Sequence, residues 1–169
     1  MDYTYITEQL ENNLPVFQGL LKSCAPEEYL WKPQPEKWCL LEIICHLCDE
    51  EREDFRMRVK TTLESPGTFP PPIDPVGWVG KRGYINQDFA KKLEEFAEER
   101  MASVIWLKSL KNPKWTNSYE HVSLGTVSAH LFLSNWLAHD YQHIRQILNI
   151  KHGYLQSVSG EKLDYAGNW

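Results

Sequence analysis

Two histidines four residues apart, in Trp136-Leu-Ala-His139-Asp140-Tyr-Gln-His143-Ile-Arg-Gln146-Ile147, are the residues of this chain best placed to do chemistry. Residues at i and i+4 of an α-helix project from one face about a turn apart, so both rings can aim a nitrogen at the same ion. Positions 132, 136, 139, 143, 147 and 150 read Phe, Trp, His, His, Ile and Ile, so the pair interrupts a core stripe rather than decorating a wet face. An unpartnered imidazole buried there costs about 1–3 kcal/mol, and a metal ion satisfies both at once. Two ligands do not complete a site. His46, in Leu40-Leu-Glu-Ile-Ile-Cys-His46-Leu-Cys-Asp-Glu50, stands three residues beyond Ile43 on a second apolar stripe and is the third candidate. A lone histidine on such a face is ordinarily a core imidazole bonded to a neighbour. A pair joined by a third core-facing histidine on another helix points instead to a divalent metal site. Three neutral imidazoles suit Zn²⁺, Ni²⁺ or Fe²⁺, with Mn²⁺ behind them, and leave positions open for water or substrate, which is the arrangement of a reactive site.

Other side chains are weighed against blander roles. Glu50, four residues after His46, and Gln146, three after His143, are placed to orient a ligand or shuttle a proton, the alternative being that both face solvent. Cys45 and Cys48 flank His46 one turn apart, yet buried cysteine ordinarily behaves as a small hydrophobe, and that reading is preferred to thiolate ligation. Cys39, at a helix N-terminus, is the one thiol whose pKa the helix dipole could lower. His121, His130 and His152 do not share the pair's face and read as structural or surface groups. The segment His139-Asp140-Tyr-Gln-His143 invites comparison with HExxH zinc peptidases. Asp is one methylene short of the general-base Glu and no third ligand follows downstream, so a peptidase is not expected.

The elements that must hold these residues are helical. Ile6, Leu10, Leu14, Phe17, Leu21 and Cys24 predict a first helix over about 4–23, kinked at Pro15. After Pro26, Pro33 and Pro35, a second begins at Cys39-Leu-Leu-Glu42, which has capping-box spacing, and runs to about Leu63. The prolines and glycines of Ser65–Gly83 exclude a long helix and predict a crossover that runs along the bundle, so that helices two and three are parallel. Phe69, Trp78 and Tyr84 on that loop would overlie the bundle and shape access to the metal. Phe89, Leu93, Phe96, Val104 and Leu107 mark a third helix over about 86–110. A fourth is expected from about Leu124 to Ile150, capped by Ser123 and closed at His152-Gly153. The aromatic tail through Trp169 is expected to pack back on the bundle. The whole chain, 1–169, reads as one all-α domain.

Composition bounds the partners. With 18 basic against 23 acidic residues, a net charge of −5 and no basic run, no nucleic acid is expected. No segment approaches the roughly 20 apolar residues of a membrane span, and the N-terminus lacks a signal pattern, so no membrane association is expected and a cytoplasmic protein is. Four cysteines are too few for a disulfide scaffold, so reduced thiols are the default.

The stretch Lys37-Trp38-Cys39-Leu-Leu-Glu42 through His46 and Glu51, followed far downstream by Leu124-Gly-Thr-Val-Ser-Ala-His-Leu and His139-Asp-Tyr-Gln-His143-Ile-Arg-Gln146-Ile, resembles the DinB-like (YfiT-type) superfamily over nearly the whole chain. The resemblance implies a four-helix bundle of up-down-down-up connectivity, and His46, His139 and His143 match its metal triad, commonly with nickel or zinc. Some relatives are thiol-dependent transferases or isomerases that use a low-molecular-weight thiol. Cys39 departs from the Ser or Thr usual after the Trp. The expected function is therefore a metal-dependent, thiol-S-transferase-type enzyme that uses the three-histidine site to activate a thiol or water against a small electrophile, with a hydrolase as the second enzymatic possibility. The rival is a non-catalytic metal-binding stress-response module. A homodimer is kept among the expected partners.

Overall fold

The computed structural model describes residues 3–167. Four long helices form the bundle: α1 (Tyr3–Leu21), the continuous α3 (Leu40–Asp49), π-helical turn (Glu50–Phe55) and α4 (Arg56–Glu64), then α6 (Phe89–Ser109) and α7 (Ala129–Ser159). The short helices α2 (Pro26–Tyr29) and α5 (Pro75–Lys81) and a two-stranded hairpin, β1 (Ser118–His121) and β2 (Gly125–Ser128), lie in the connections. Bonds between the second and third bundle helices climb both together, from Cys48 with Lys92 to Arg52 with Glu95 and Arg56 with Glu99, so these two helices are parallel. His46 meets His143 while Arg58 meets Phe132, so α3 and α4 run antiparallel to α7.

The helix carrying His46 is the most enclosed. Every residue from Leu40 to Glu51 is buried, charged ones included, because α3 runs between its neighbours rather than along one edge. Glu42 receives the Cys39 backbone N–H at 2.9 Å, which completes the capping box at the N-terminus. The apolar core falls into two clusters. One gathers Leu14, Phe17 and Leu21 with the first half of α3, Phe96 and Ile147. The other gathers Ile6, Leu10, Phe55, Val59, Leu133 and Trp136. Between them lies a layer of buried polar side chains that includes Asn13, Glu51, Arg100 and Asp140.

Several expectations need correction. Helix four begins later and ends later: Ser128, not Ser123, caps it by accepting the Leu131 N–H at 3.1 Å, and the preceding residues pair as the hairpin. Gly153 lies inside α7, where a Cβ would come within 2.9 Å of the Trp31 ring, while Gly160, at φ 68°, takes the left-handed conformation that ends the helix. The Pro-rich connection contains the seven-residue α5, with Pro at its start and the Asp74 side chain accepting from Gly77. The tail does not pack back, since Tyr165 and its neighbours are exposed; Trp169 lies outside the described residues.

The close approach at Gly153 makes a prediction. Ala ordinarily gains about 1 kcal/mol over Gly inside a helix. Gly19, in α1 with nothing near its would-be Cβ, is expected to show that gain on substitution by Ala. Gly153→Ala is expected to lose about 1 kcal/mol instead, because crowding Trp31 outweighs it. Urea denaturation of the two variants checks this, and equal gains would contradict it.

Candidate metal centre

α3 and α7 bring the three predicted histidines together. The Nε2 atoms of His46 and His139 are 3.3 Å apart and those of His143 and His139 are 3.0 Å apart. One ligand atom from each lies within 4.8 Å of the other two. Nitrogens bonded to one tetrahedral ion at about 2.05 Å stand roughly 3.3 Å from one another, so the cluster has the dimensions of a ligand set. It also has the right chemistry. Burial, reinforced by the charge of His143, pushes His46 down to about 3, and burial with the charges of His143, His46 and Arg100 pushes His139 down to about 2. Burial lowers His143 as well, with the Gln146 side chain acting the other way. The imidazoles are therefore neutral at neutral pH, the form that coordinates.

Hydrogen bonding within the chain leaves this cluster incomplete. The Nδ1 atoms of His46 and His143 and Oε1 of Glu50 are buried without a partner. Converging Nε2 atoms repel through their lone pairs unless a cation or shared protons lie between them. A divalent ion fits the donors that these residues present.

Glu50 is the acidic neighbour. Its Oε2 is 4.0 Å from His139 Nε2, at the start of the π-helical turn. Burial, and then the adjacent Asp54 carboxylate, push Glu50 up to about 8, while Arg58, paired with Asp54, pulls the other way. A π turn makes room for extra inward-facing residues. Here Glu50 turns toward the histidines and Glu51, next in the chain, toward Arg100. The Trp38 ring lies 4.9 Å from that of His46, and the Phe55 ring 4.9 Å from that of His139, so aromatic walls flank the cluster.

The cysteines lie elsewhere. Cys45 Sγ faces the Tyr84 carbonyl and Cys48 Sγ the Lys92 carbonyl, and burial pushes Cys45 up to about 12 and Cys48 higher. Burial also raises Cys39, against the expectation that the helix dipole would lower it. Asp140, which stands where a zinc peptidase carries its general base, is fully buried and paired with Arg100, and is not free to act as one. Of the crossover aromatics, Trp78 and Tyr84 pack into the core beside α3, and Phe69 packs edge-on against Tyr119 of the hairpin. A cleft of about 1320 Å³ opens between the end of α1 and the start of α6, and no triad residue lines it.

Sequence reasoning missed Arg100, Glu51 and the pairing of Asp140. A signal was present, since Arg100 follows Phe96 and precedes Val104 by four residues each on the stripe of helix three. Among the described residues, no helix is long and apolar enough to cross a membrane.

A four-helix bundle with three converging imidazoles on its second and fourth helices is the class that these observations define. Residues 9–147 match the profile of the DinB superfamily, and the chain belongs to it. A solved structure, YfiT from Bacillus subtilis, described as a probable metal-dependent hydrolase with an unusual four-helix bundle topology, superposes with a TM-score of 0.78 at 15% sequence identity. It covers 95% of this chain and 89% of that one. At such identity the likeness speaks for the fold. No curated protein matches the chain.

The shifted groups set the pH dependence of the metal-free protein. The three histidines bind fewer protons folded than unfolded between their lowered values and about 6.5, so the stability they contribute is lost as pH falls through that window. Glu50 binds more protons folded than unfolded between its ordinary value of 4.5 and about 8, so its contribution is lost as pH rises there. Below about pH 6.5 three histidines outweigh one carboxyl, and above it Glu50 acts alone. In chelator, the urea midpoint is therefore expected to peak near about pH 6.5 and decline on both sides. A midpoint still rising to pH 8 would contradict these assignments.

Proposed function

We propose that the chain is a metal-dependent enzyme in which His46, His139 and His143 hold one divalent ion and Glu50 takes the proton of a nucleophile, water in first place, that attacks a small electrophile. The observation that carries this reading is the convergence of three neutral imidazole nitrogens beside a buried carboxyl group with an unpartnered oxygen. Bound there, Zn²⁺ or Ni²⁺, or Fe²⁺ or Mn²⁺, supplies Lewis acidity that ionises a coordinated water or thiol near neutral pH and favours the carboxylate form of Glu50.

The chain supplies the rest. Glu50 holds the proton and returns it to the leaving group, a role suited to a carboxyl whose environment holds its pKa near neutrality. Asp54, fixed by Arg58, stands behind Glu50 as the neighbouring charge that keeps its pKa high. Trp38 and Phe55 exclude bulk water from two sides, which strengthens the electrostatics between the remaining groups. Gln146 stands close enough to His143 for its side chain to favour the protonated ring, opposing the effect of burial. The description of YfiT as a probable metal-dependent hydrolase points in the same direction.

A small thiol in place of water would make the same centre a thiol transferase. A panel of small esters and amides, assayed with loaded and chelated protein, with and without a thiol, decides between them. Metal-dependent release without thiol supports hydrolysis. Release only with thiol moves the reading to thiol transfer, and no metal-dependent release in either arm leaves a non-catalytic metal-binding module.

A further inference from the structure

Arg100 and its partners form a closed polar group beside the histidines, and none of them has a place in the chemistry above. The Arg100 side chain is 1% exposed and all five of its N–H groups are used. Nε and Nη2 donate to the two oxygens of Glu51, both at 2.9 Å, Nη1 and Nη2 to the two oxygens of Asp140 at 2.6 and 2.7 Å, and Nη1 to the Leu10 carbonyl at 3.0 Å. Asn13 donates to Asp140 at 3.0 Å and the Trp136 indole N–H to Glu51 at 2.9 Å. All four bundle helices are therefore tied at one level.

Two features connect this group to the histidines. Glu51 directly follows Glu50, and Asp140 directly follows His139, so the fork of Arg100 holds the side chains of the residues next to the site on both helices. One cation between two carboxylates also leaves a net negative charge in the core, which complements a divalent cation on three neutral ligands. Stability does not account for the arrangement, because well-packed apolar side chains of similar volume commonly serve as well as a buried ion group. What apolar packing lacks is the fixed distance and orientation that a planar, doubly bidentate guanidinium imposes.

We propose that Arg100 is a positioning residue for the metal centre: through Glu51 and Asp140 it sets the spacing and register of α3 and α7, and thereby the convergence of His46 with His139 and His143. The inference rests on the metal-site reading above, and the two fail separately.

The probe is Co²⁺, whose visible absorption reports ligand geometry directly. Arg100→Lys keeps the charge and loses the fork, Asp140→Asn keeps the shape and loses the charge, and Trp136→Phe removes one bond to Glu51 together with part of a buried ring stacked on Phe55. Leu21→Ala, in the core at the far end of α1, is the control for general destabilisation. Arg100→Lys and Asp140→Asn are expected to raise the Co²⁺ Kd about 10-fold or more and to shift the absorption bands. Trp136→Phe should move both in the same direction by less, and it keeps the test decisive if either stronger variant does not fold. Leu21→Ala should keep the wild-type spectrum. Wild-type affinity and spectrum in the folded network variants would overturn the inference while leaving the metal site standing. A wild-type protein that takes up no Co²⁺ would overturn both.

Discussion

Alanine at position 100 is expected to cost this protein about 3–5 kcal/mol, because it strands two carboxylates in the core without their cation. Glu51 and Asp140 are 2% and 0% exposed at their side chains, and water filling the space left by the guanidinium supplies hydrogen bonds but no countercharge. Against a total stability of about 5–15 kcal/mol, that is a large fraction. At roughly 2–4 °C per kcal/mol for a chain of this size, the midpoint should fall by about 10 °C. Thermal denaturation in chelator measures the effect free of any metal contribution. A fall of only a degree or two would mean that the carboxylates find other partners, and the buried group would then not be the tie between helices described above. Replacing Arg100, Glu51 and Asp140 together by apolar residues should recover much of the loss.

The second large effect is on turnover. Glu50→Gln preserves size and removes the proton acceptor, so once a substrate is in hand its kcat is expected to fall by about 10²–10⁴ with metal content unchanged. The same variant should lose the stability decline above about pH 6.5 in the metal-free protein, since no carboxyl remains there to ionise. Those two results together separate a proton-transfer role from ligation: loss of the ion in Glu50→Gln would make the residue a fourth ligand, and full activity would remove it from the mechanism.

What could be read without the structure follows from how each feature is encoded. The i, i+4 pair His139 and His143 and the stripe through Ile43 and His46 are local patterns, and a helix converts them into direction with little help from the rest of the fold. The long crossover was legible because proline and glycine act locally too. The buried charges were not, since Glu51 and Asp140 look like a solvated face, and the place of Arg100 on an apolar stripe says nothing of its partners 40 and 49 residues away in the chain. The π turn left no composition signal, yet it lets adjacent Glu50 and Glu51 both point inward. The late start of helix four went unseen because four-residue strands are too short to show alternation against the helical pattern beside them.

The most direct test of the account is metal stoichiometry. Purified protein dialysed against Zn²⁺ or Ni²⁺ and freed of excess should retain one ion per chain by elemental analysis, and His143→Ala should retain far less while keeping its helical circular dichroism. Full stoichiometry in His143→Ala, or no retained ion in the wild-type protein, would contradict the assignment of His46, His139 and His143 as the metal centre.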